Sequence, residues 1–260
     1  MDLQLAGQTA LITGASKGIG FAIAQRFAAE GCNVCLVSRS AKSLEEAAAK
    51  ISLASKVRVA FHAIDLGESR AAERICKACP DADIVVNNAG AIPGGDLFEV
   101  EEPAWRAAWD AKVFGYINLT RCYMAAFKER RKGVIVNILG IAGELRDPYY
   151  LAGSMGNAAL IAFTKAVGAW STQYGVRVVG VSPGPVSTER LIRLQKHKAL
   201  RKFGSEDQWQ AALANFPFGR PATPEEVADA VAFFASPLSA YTSGSVLNLD
   251  GGISGGRQIP

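Results

Sequence analysis

Short apolar runs alternate with longer segments in which apolar residues recur every three or four positions. The short runs predict buried strands, and the longer segments predict amphipathic helices. The predicted strands cover residues 9–12, 34–38, 57–64, 84–86, 134–139, 176–181 and 245–249. The predicted helices begin at residue 18 and then cover 43–53, 68–79, 101–131, 150–173 and 224–235. This alternation predicts one α/β domain over residues 1–260, with a parallel sheet covered by helices on both faces.

The composition narrows the classes of protein to which the chain can belong. Of its 260 residues, 49% are hydrophobic and 20% are charged, which suits a globular domain with a large core. The net charge of +4 is too mild to indicate nucleic-acid binding. No apolar run approaches the length of a membrane span, and the first strand begins too early for a signal peptide. We therefore expect a cytoplasmic protein with neither nucleic acid nor membrane as a partner.

Five cysteines include two Cys-x-x-Cys pairs, Cys32/Cys35 and Cys76/Cys79. Such pairs occur in metal and redox sites. Here they lie in predicted core elements, and an odd number of cysteines fits a reducing compartment. We interpret them as small buried side chains and expect no metal site.

A glycine-rich turn joins the first predicted strand to the first predicted helix. Residues 13–20 read TGASKGIG, and Ile19, Ile23 and Phe27 then form one face of the helix. Glycine lets the backbone bend back and approach a ligand closely, while a helix N-terminus offers free N–H groups and a positive dipole end. A strand, this turn and a helix in succession predict a site for the pyrophosphate of a dinucleotide rather than a plain tight turn.

The other polar motifs also follow predicted strands. Asp65-Leu66 follows the third strand, residues 87–90 (NNAG) follow the fourth, and Pro183-Gly184 follows the sixth. Ligands of parallel sheets bind beyond the carboxyl ends of the strands, where the strand order reverses. The motifs therefore predict one binding cleft at that edge of the sheet.

Together with Thr188 and the closing residues 250–252 (DGG), these motifs resemble the short-chain dehydrogenase/reductase family over essentially the whole chain. The resemblance implies a Rossmann-type doubly wound sheet of seven mainly parallel strands with helices on both faces. It also implies a nicotinamide cofactor, a small-molecule substrate, and a homotetramer or homodimer built through the two long helices.

The resemblance also assigns roles to individual positions. Asp65 and Leu66 would meet the adenine, residues 88–90 would line the cofactor, and residues 183–188 would flank the nicotinamide. With the glycine-rich turn and Arg39, the predicted cofactor-binding residues are Gly14, Ser16, Lys17, Gly18, Ile19, Gly20, Arg39, Asp65, Leu66, Asn88, Ala89, Gly90, Pro183, Gly184, Val186 and Thr188.

The end of the second predicted strand indicates which nicotinamide cofactor is bound. A site for NAD(H) would place an acidic residue there to bind the ribose hydroxyls. The chain instead has Ser38 and Arg39, with Lys17 in the nearby turn. A guanidinium can bind a 2′-phosphate through two hydrogen bonds. We therefore expect NADP(H) to be preferred over NAD(H), the alternative being that both cations are simply solvated.

The family's catalytic set is an asparagine, a serine, a tyrosine and a lysine. Local motifs map these four to Lys112, Gly140, Gly153 and Asn157, so all four are replaced. Tyr150, one helical turn before Gly153, can reach inward from its own position, whereas shifting the helix to bring it into register would misplace the apolar face. The candidate catalytic residues are Lys112, Asn157 and Tyr150. The two glycines indicate either space for a bulkier substrate or loss of function.

Lys112 and Asn157 resemble a reciprocal exchange, because the family has its asparagine on the first long helix and its lysine on the second. Lys112 lies within an apolar stripe, and an unpaired buried lysine is costly and tends to lose its proton. A buried amide is a natural partner, so we expect Lys112 and Asn157 to meet in the cleft near the nicotinamide ribose. The alternative is that the long lysine side chain extends to solvent.

Two functions remain open from the sequence. The first is an NADP(H)-dependent oxidoreductase with a rebuilt proton path, since hydride transfer mainly needs cofactor and substrate held face to face. An activated C=C or C=N substrate, which can take its proton from water, would suit such a site. The second is a catalytically inactive protein that binds the cofactor or a partner subunit. In either case we expect an insert at about residues 187–217 to cover the substrate side.

Overall fold

All predicted strands join one sheet in the computed structural model, which describes residues 2–207 and 209–256. It leaves out the side chains at positions 197, 198, 201, 202, 211, 212 and 214. The strands are β1 (Thr9–Thr13), β2 (Asn33–Ser38), β3 (Val59–Ala63), β4 (Ile84–Asn87), β5 (Gly133–Ile138), β6 (Val176–Pro183) and β7 (Val246–Leu249). Their order is β3-β2-β1-β4-β5-β6-β7, and every neighbouring pair is parallel. The predicted Rossmann-type sheet is confirmed.

Helices connect the strands and cover both faces of the sheet. They are α1 (Gly18–Ala29), α2 (Ala41–Ala54), α3 (Ala71–Ala78), α4 (Glu102–Trp109), α5 (Gly115–Arg130), α6 (Ala142–Leu145), α7 (Leu151–Ser171), α8 (Glu189–Phe203) and α9 (Pro224–Ala235). No helix among the described residues is long and apolar enough to span a bilayer.

The middle strand β1 shows why the sheet needs helices on both faces. Successive side chains of a strand point to opposite faces. Ile12 belongs to the apolar cluster that contains Phe27 of α1 and Val231 of α9, whereas Leu11 belongs to the cluster that contains Phe127 of α5. All of these side chains are fully buried. An apolar strand of this kind is stable only between two helical layers.

The predicted single helix over 101–131 is wrong in its middle. The chain forms α4, then a π-helical turn over Asp110–Phe114, then α5. The indole N–H of Trp109, just before the turn, donates to the carbonyl of Ala152 in α7 (2.9 Å). A π-helical turn accommodates an extra residue in the helix and often marks a functional site. Here the turn contains Lys112.

Two other differences concern helix starts. The third helix begins at Ala71 rather than at residue 68, because Arg70 adopts a left-handed conformation (φ 58°). Helix α8 was not predicted, nor was the short α6. The hydroxyl of Thr188 caps α8 by accepting from the Leu191 N–H (3.3 Å), and Gly204 follows its end with φ +72°. The other predicted elements are confirmed at their positions.

Candidate active site

The strand order reverses between β1 and β4, and the loops that follow these two strands are tied together. The hydroxyl of Thr13 accepts from the backbone N–H groups of Asn88 (2.9 Å) and Ala89 (3.0 Å). The Asn88 side-chain amide donates in return to the Thr13 carbonyl (2.8 Å). These bonds fix the two loops against each other and form the floor of a cleft at the carboxyl edge of the sheet.

The glycine-rich turn after β1 has little room for side chains. Gly14 and Gly18 have left-handed φ angles of +68° and +58°, and a Cβ on Gly20 would overlap the Gly14 carbonyl and the Asn88 amide. Lys17, at the N-cap of α1, makes no side-chain cap, so the first N–H groups of the helix point into the turn. This geometry suits an anionic phosphate. The turn's other predicted residues are both half-buried: Ser16 and Ile19.

The glycine-rich turn and the start of α8 face each other across the mouth of the cleft. The Lys17 ammonium lies 2.6 Å from a carboxylate oxygen of Glu189, the first residue of α8, and both side chains are exposed. A Cβ on Gly18 would lie 3.5 Å from the Thr188 methyl group. These contacts place Thr188 beside the turn, as expected for a residue that flanks the cofactor.

The ends of β2 and β3 form the far side of the cleft. The buried hydroxyl of Ser38 has no hydrogen-bond partner among the described residues, and Arg39 next to it is exposed. No acidic residue follows β2 directly. Asp65 accepts from the Gly67 N–H (3.0 Å), and Leu66 is buried. This strand end therefore presents a polar atom without a partner beside an exposed guanidinium.

The end of β6 supplies the opposite wall. The Pro183 carbonyl accepts from the Ile141 N–H (3.2 Å), and the Gly184 N–H donates to the Leu249 carbonyl (2.9 Å). Val186 pairs in a short parallel bridge with Ala222. The predicted residues 183–188 therefore lie in one ordered stretch between β6 and α8.

Lys112 and Asn157 meet, as predicted. The Lys112 ammonium donates to the Asn157 side-chain oxygen (2.9 Å), and the Asn157 amide donates to the Gly153 carbonyl (2.8 Å). A Cβ on Gly90 would lie 2.7 Å from the Lys112 side chain, so the lysine stem rests directly on the loop after β4. The alternative of a lysine that extends to solvent away from Asn157 is wrong.

The environment of Lys112 changes its protonation. Burial, and next the positive charge of Arg190, lower the pKa of Lys112 from 10.5 to about 7. A lysine in this range exchanges its proton near neutral pH. Residue 112 as a whole is half-buried.

The two glycines at the family's serine and tyrosine positions have different surroundings. A Cβ on Gly140 would lie 3.2 Å from the Asn157 amide nitrogen. A Cβ on Gly153 would overlap the ring of Tyr150 at Cε1 and Cζ. Tyr150 stands at the N-cap of α7, and both Gly153 and Asn157 are buried in that helix. The Tyr150 ring therefore covers Gly153 from one turn earlier.

Arg190 is a residue of the cleft that the sequence analysis missed. Its guanidinium donates to the Tyr150 hydroxyl (2.6 Å), to the Ile92 carbonyl (3.1 Å) and to the Gly90 carbonyl (3.2 Å). Thr188, a good N-cap residue followed by glutamate, was the signal that a helix starts here and turns the next side chains toward the cleft.

The cysteines do not pair. All five are free thiols, and burial above all raises the pKa of Cys32 to about 12. In the described part of the chain no three histidine, cysteine, aspartate or glutamate side chains are placed to hold a metal ion.

Comparison with known proteins gives consistent matches. Residues 14–254 match a protein-family model described as enoyl-(acyl carrier protein) reductase. Galactitol 2-dehydrogenase (L-tagatose-forming) from Cereibacter sphaeroides is 32% identical over 251 residues, which covers 96% of each chain. The 3-oxoacyl-(acyl-carrier-protein) reductase from Vibrio cholerae is 32% identical over 255 residues, covering 96% of this chain and 99% of that one.

Solved structures agree with these matches. L-sorbose reductase from Gluconobacter frateurii, complexed with NADPH and L-sorbose, has a TM-score of 0.89 at 30% identity. The alignment covers 96% of this chain and 98% of that one. The similarity therefore extends over the whole sheet and the cleft at its carboxyl edge.

Proposed function

The chain belongs to the short-chain dehydrogenase/reductase family, and from that premise we propose that it is an NADP(H)-dependent oxidoreductase with a non-standard active site. Its substrate is a small molecule. The observation that supports this best is the hydrogen bond between Lys112 and Asn157. The cleft keeps a cation and an amide in contact although the family's residues at both positions are exchanged.

The predicted cofactor residues form a continuous path along the carboxyl edge of the sheet. In this proposal the turn after β1 and the start of α1 hold the pyrophosphate, and Asp65 and Leu66 contact the adenine. Lys112 and Asn157 hold the nicotinamide ribose. The bound nicotinamide supplies the hydride chemistry, and the chain's own residues orient the substrate and move the proton.

The preference for NADP(H) rests on the end of β2. The unpartnered Ser38 hydroxyl and the exposed Arg39 guanidinium suit a 2′-phosphate. An acidic residue there would repel the phosphate, and none follows the strand. L-sorbose reductase, a similar protein, was solved with NADPH.

The insert at 187–217 covers the substrate side of the cleft in this proposal, and α8 is part of it. The protein acts in the cytoplasm, where its five free thiols stay reduced. We also propose a homotetramer or homodimer, because the loop before α4 exposes Leu97 and Phe98 and the π-helical turn exposes Phe114. Light scattering after size-exclusion chromatography measures the oligomer size, and a monomer at micromolar concentration would contradict this part.

Cofactor titration followed by a turnover screen tests the proposal. Fluorescence titration should give NADPH a dissociation constant at least about tenfold lower than that of NADH, since a charge-assisted phosphate contact contributes about 1.5–3 kcal/mol. The variant Arg39→Asp should reverse that order. Oxidation of NADPH is then measured with ketones, imines and enones. Equal affinities for NADPH and NADH would contradict the proposed preference for NADP(H). Tight NADPH binding with no turnover of any substrate favours the non-catalytic alternative.

A further inference from the structure

Tyr150 and Gly153 form a matched pair in the reaction cleft. Tyr150 precedes α7, and its ring occupies the volume that any side chain at position 153 would need. A ring packed there cannot coexist with a β-carbon on Gly153. Gly153 maps to the family's tyrosine position. Only a glycine there leaves room for the Tyr150 ring, which enters the same volume from one helical turn earlier.

Arg190 holds the hydroxyl end of that ring. Two backbone carbonyls after β4, those of Gly90 and Ile92, anchor the guanidinium, and the Tyr150 oxygen accepts a third hydrogen bond at 2.6 Å. A guanidinium presents its N–H groups in a rigid plane, so fixing it on two carbonyls also fixes where the third acceptor must lie. Arg190 has no carboxylate partner among the described residues, so none competes for its charge.

The hydrogen bond also orients the hydroxyl. Because Arg190 only donates, the Tyr150 oxygen accepts, and the proton of the hydroxyl remains free for another acceptor. The same loop carries Gly90, against which the stem of Lys112 rests. The Tyr150 hydroxyl therefore belongs to the same cleft as Lys112 and Asn157.

We infer that Arg190 is a positioning residue that holds Tyr150, in the space left by Gly153, as the proton donor to the substrate. This inference rests on the proposed oxidoreductase function. In the reductive direction the phenolic O–H bond breaks and the proton goes to the substrate oxygen, while the neighbouring carbon receives the hydride. The phenolate then takes a proton from water, which regenerates Tyr150.

Kinetics with a carbonyl substrate from the turnover screen tests the inference first. Tyr150→Phe and Arg190→Met should each lower kcat by about 10²-fold, the lower range of general acid catalysis, with the NADPH dissociation constant changed less than about threefold. The double variant should be no slower than either single variant, because both remove one function. Arg190→Lys should recover part of the rate. Arg58→Met, with an exposed side chain just before β3 at the edge of the sheet away from the cleft, is the matched control and should behave as the parent.

A purely structural role for Arg190 gives different results. It would make the two substitutions multiply, to about 10⁴-fold, or would weaken cofactor binding as much as it slows turnover. Gly153→Ala adds to this test. Alanine favours a helix more than glycine does, so the melting temperature should not fall if the ring swings away, yet kcat should fall about as far as in Tyr150→Phe. Undiminished kcat in Gly153→Ala would overturn the inference.

A second measurement does not need turnover. With 3-fluorotyrosine placed at position 150, Arg190→Met and Gly153→Ala should shift and narrow its fluorine resonance, while Arg58→Met should leave it unchanged. An unchanged resonance in Arg190→Met shows that Arg190 does not position the ring. A resonance that responds in a protein without turnover shows that the positioning is correct and that the proton-donor role fails together with the proposed function.

Discussion

The two halves of the cleft are built from different parts of the chain. The phosphate half consists of the turn over residues 13–20 and the loop over 88–90, and it is formed almost entirely by backbone and by excluded side-chain volume. The reaction half consists of Tyr150, Arg190, Lys112 and Asn157, and it is formed by side chains from α8, α7 and the π-helical turn. In the proposed function the first half follows the family pattern, and the second departs from it.

The contrast shows which kind of site tolerates exchange. Where the backbone lies very close to neighbouring atoms, only glycine fits. A β-carbon would collide there, whatever the chemistry of the side chain. A set of side chains needs only the right groups at the right places, and these can come from other positions. In the proposal, Lys112 and Asn157 keep the family's contact with donor and acceptor exchanged, and the Tyr150 ring fills the volume beside Gly153 from a neighbouring turn.

The largest effect is expected from adding a β-carbon in the phosphate half, which tests whether the backbone defines that site. Gly20→Ala should weaken NADPH binding at least about 100-fold, because the added carbon overlaps the Gly14 carbonyl and forces the turn open. Fluorescence titration measures the effect. Gly255→Ala, where the new carbon would lie 3.5 Å from its nearest neighbour, is the control. Unchanged affinity in Gly20→Ala would show that the turn is not a backbone-defined site.

Exchanging Lys112 and Asn157 tests the reaction half, in which side chains define the site. Lys112→Ala should raise the dissociation constant of NADPH about tenfold, which corresponds to one charge-assisted hydrogen bond. The double variant Lys112→Asn, Asn157→Lys should return to within about threefold of the parent. Lys165→Ala, an exposed lysine of α7, should have no effect. A double variant as weak as Lys112→Ala would mean that the two positions are not interchangeable.

The third expected effect is on the pH dependence of stability. The unfolded chain has the ordinary lysine pKa of 10.5, whereas the folded protein holds Lys112 at about 7. Between these values the unfolded state binds more protons, so the free energy of unfolding rises with pH, by up to about 1.4 kcal/mol per unit. Below about pH 7 both states are protonated and this contribution is constant.

Urea unfolding of the parent protein and of Lys112→Met at pH 7, 8 and 9 measures that slope. The parent should gain stability relative to the variant as the pH rises, while Lys165→Met should follow the parent. If the difference between the parent and Lys112→Met is the same at all three values, the amine is not held in a desolvated site.

The phosphate half was predictable because its signals are local. A run of apolar residues, three glycines and an amphipathic helix follow one another within a few turns, and each has one structural explanation. The contact of Lys112 with Asn157 was also predictable, since a cation in an apolar stripe needs a partner and the family pattern indicated which residue it would be. The π-helical turn was not, because the apolar period continues across it.

The contacts of Arg190 could not be predicted from the sequence, for a physical reason. Two of its acceptors are the backbone carbonyls of Gly90 and Ile92, and a sequence carries no mark of which carbonyls face a cleft. Helix α8 is rich in charged residues, and the sequence analysis interpreted this stretch as an insert rather than as a helix. Its existence depends on the Thr188 cap and on packing against the rest of the fold.

Glu189 and Arg190 are consecutive residues, and their side chains contact opposite walls of the cleft. Glu189 holds Lys17 in the glycine-rich turn, while Arg190 holds the loop after β4 and the Tyr150 hydroxyl. The first turn of α8 therefore contacts both sides of the cleft. In the proposal, this turn cannot move away to let cofactor or substrate in or out without also releasing Tyr150. In the proposed mechanism, entry to the cleft and proton transfer would therefore occur at different times, and the rate at which this turn moves away would limit the catalytic cycle.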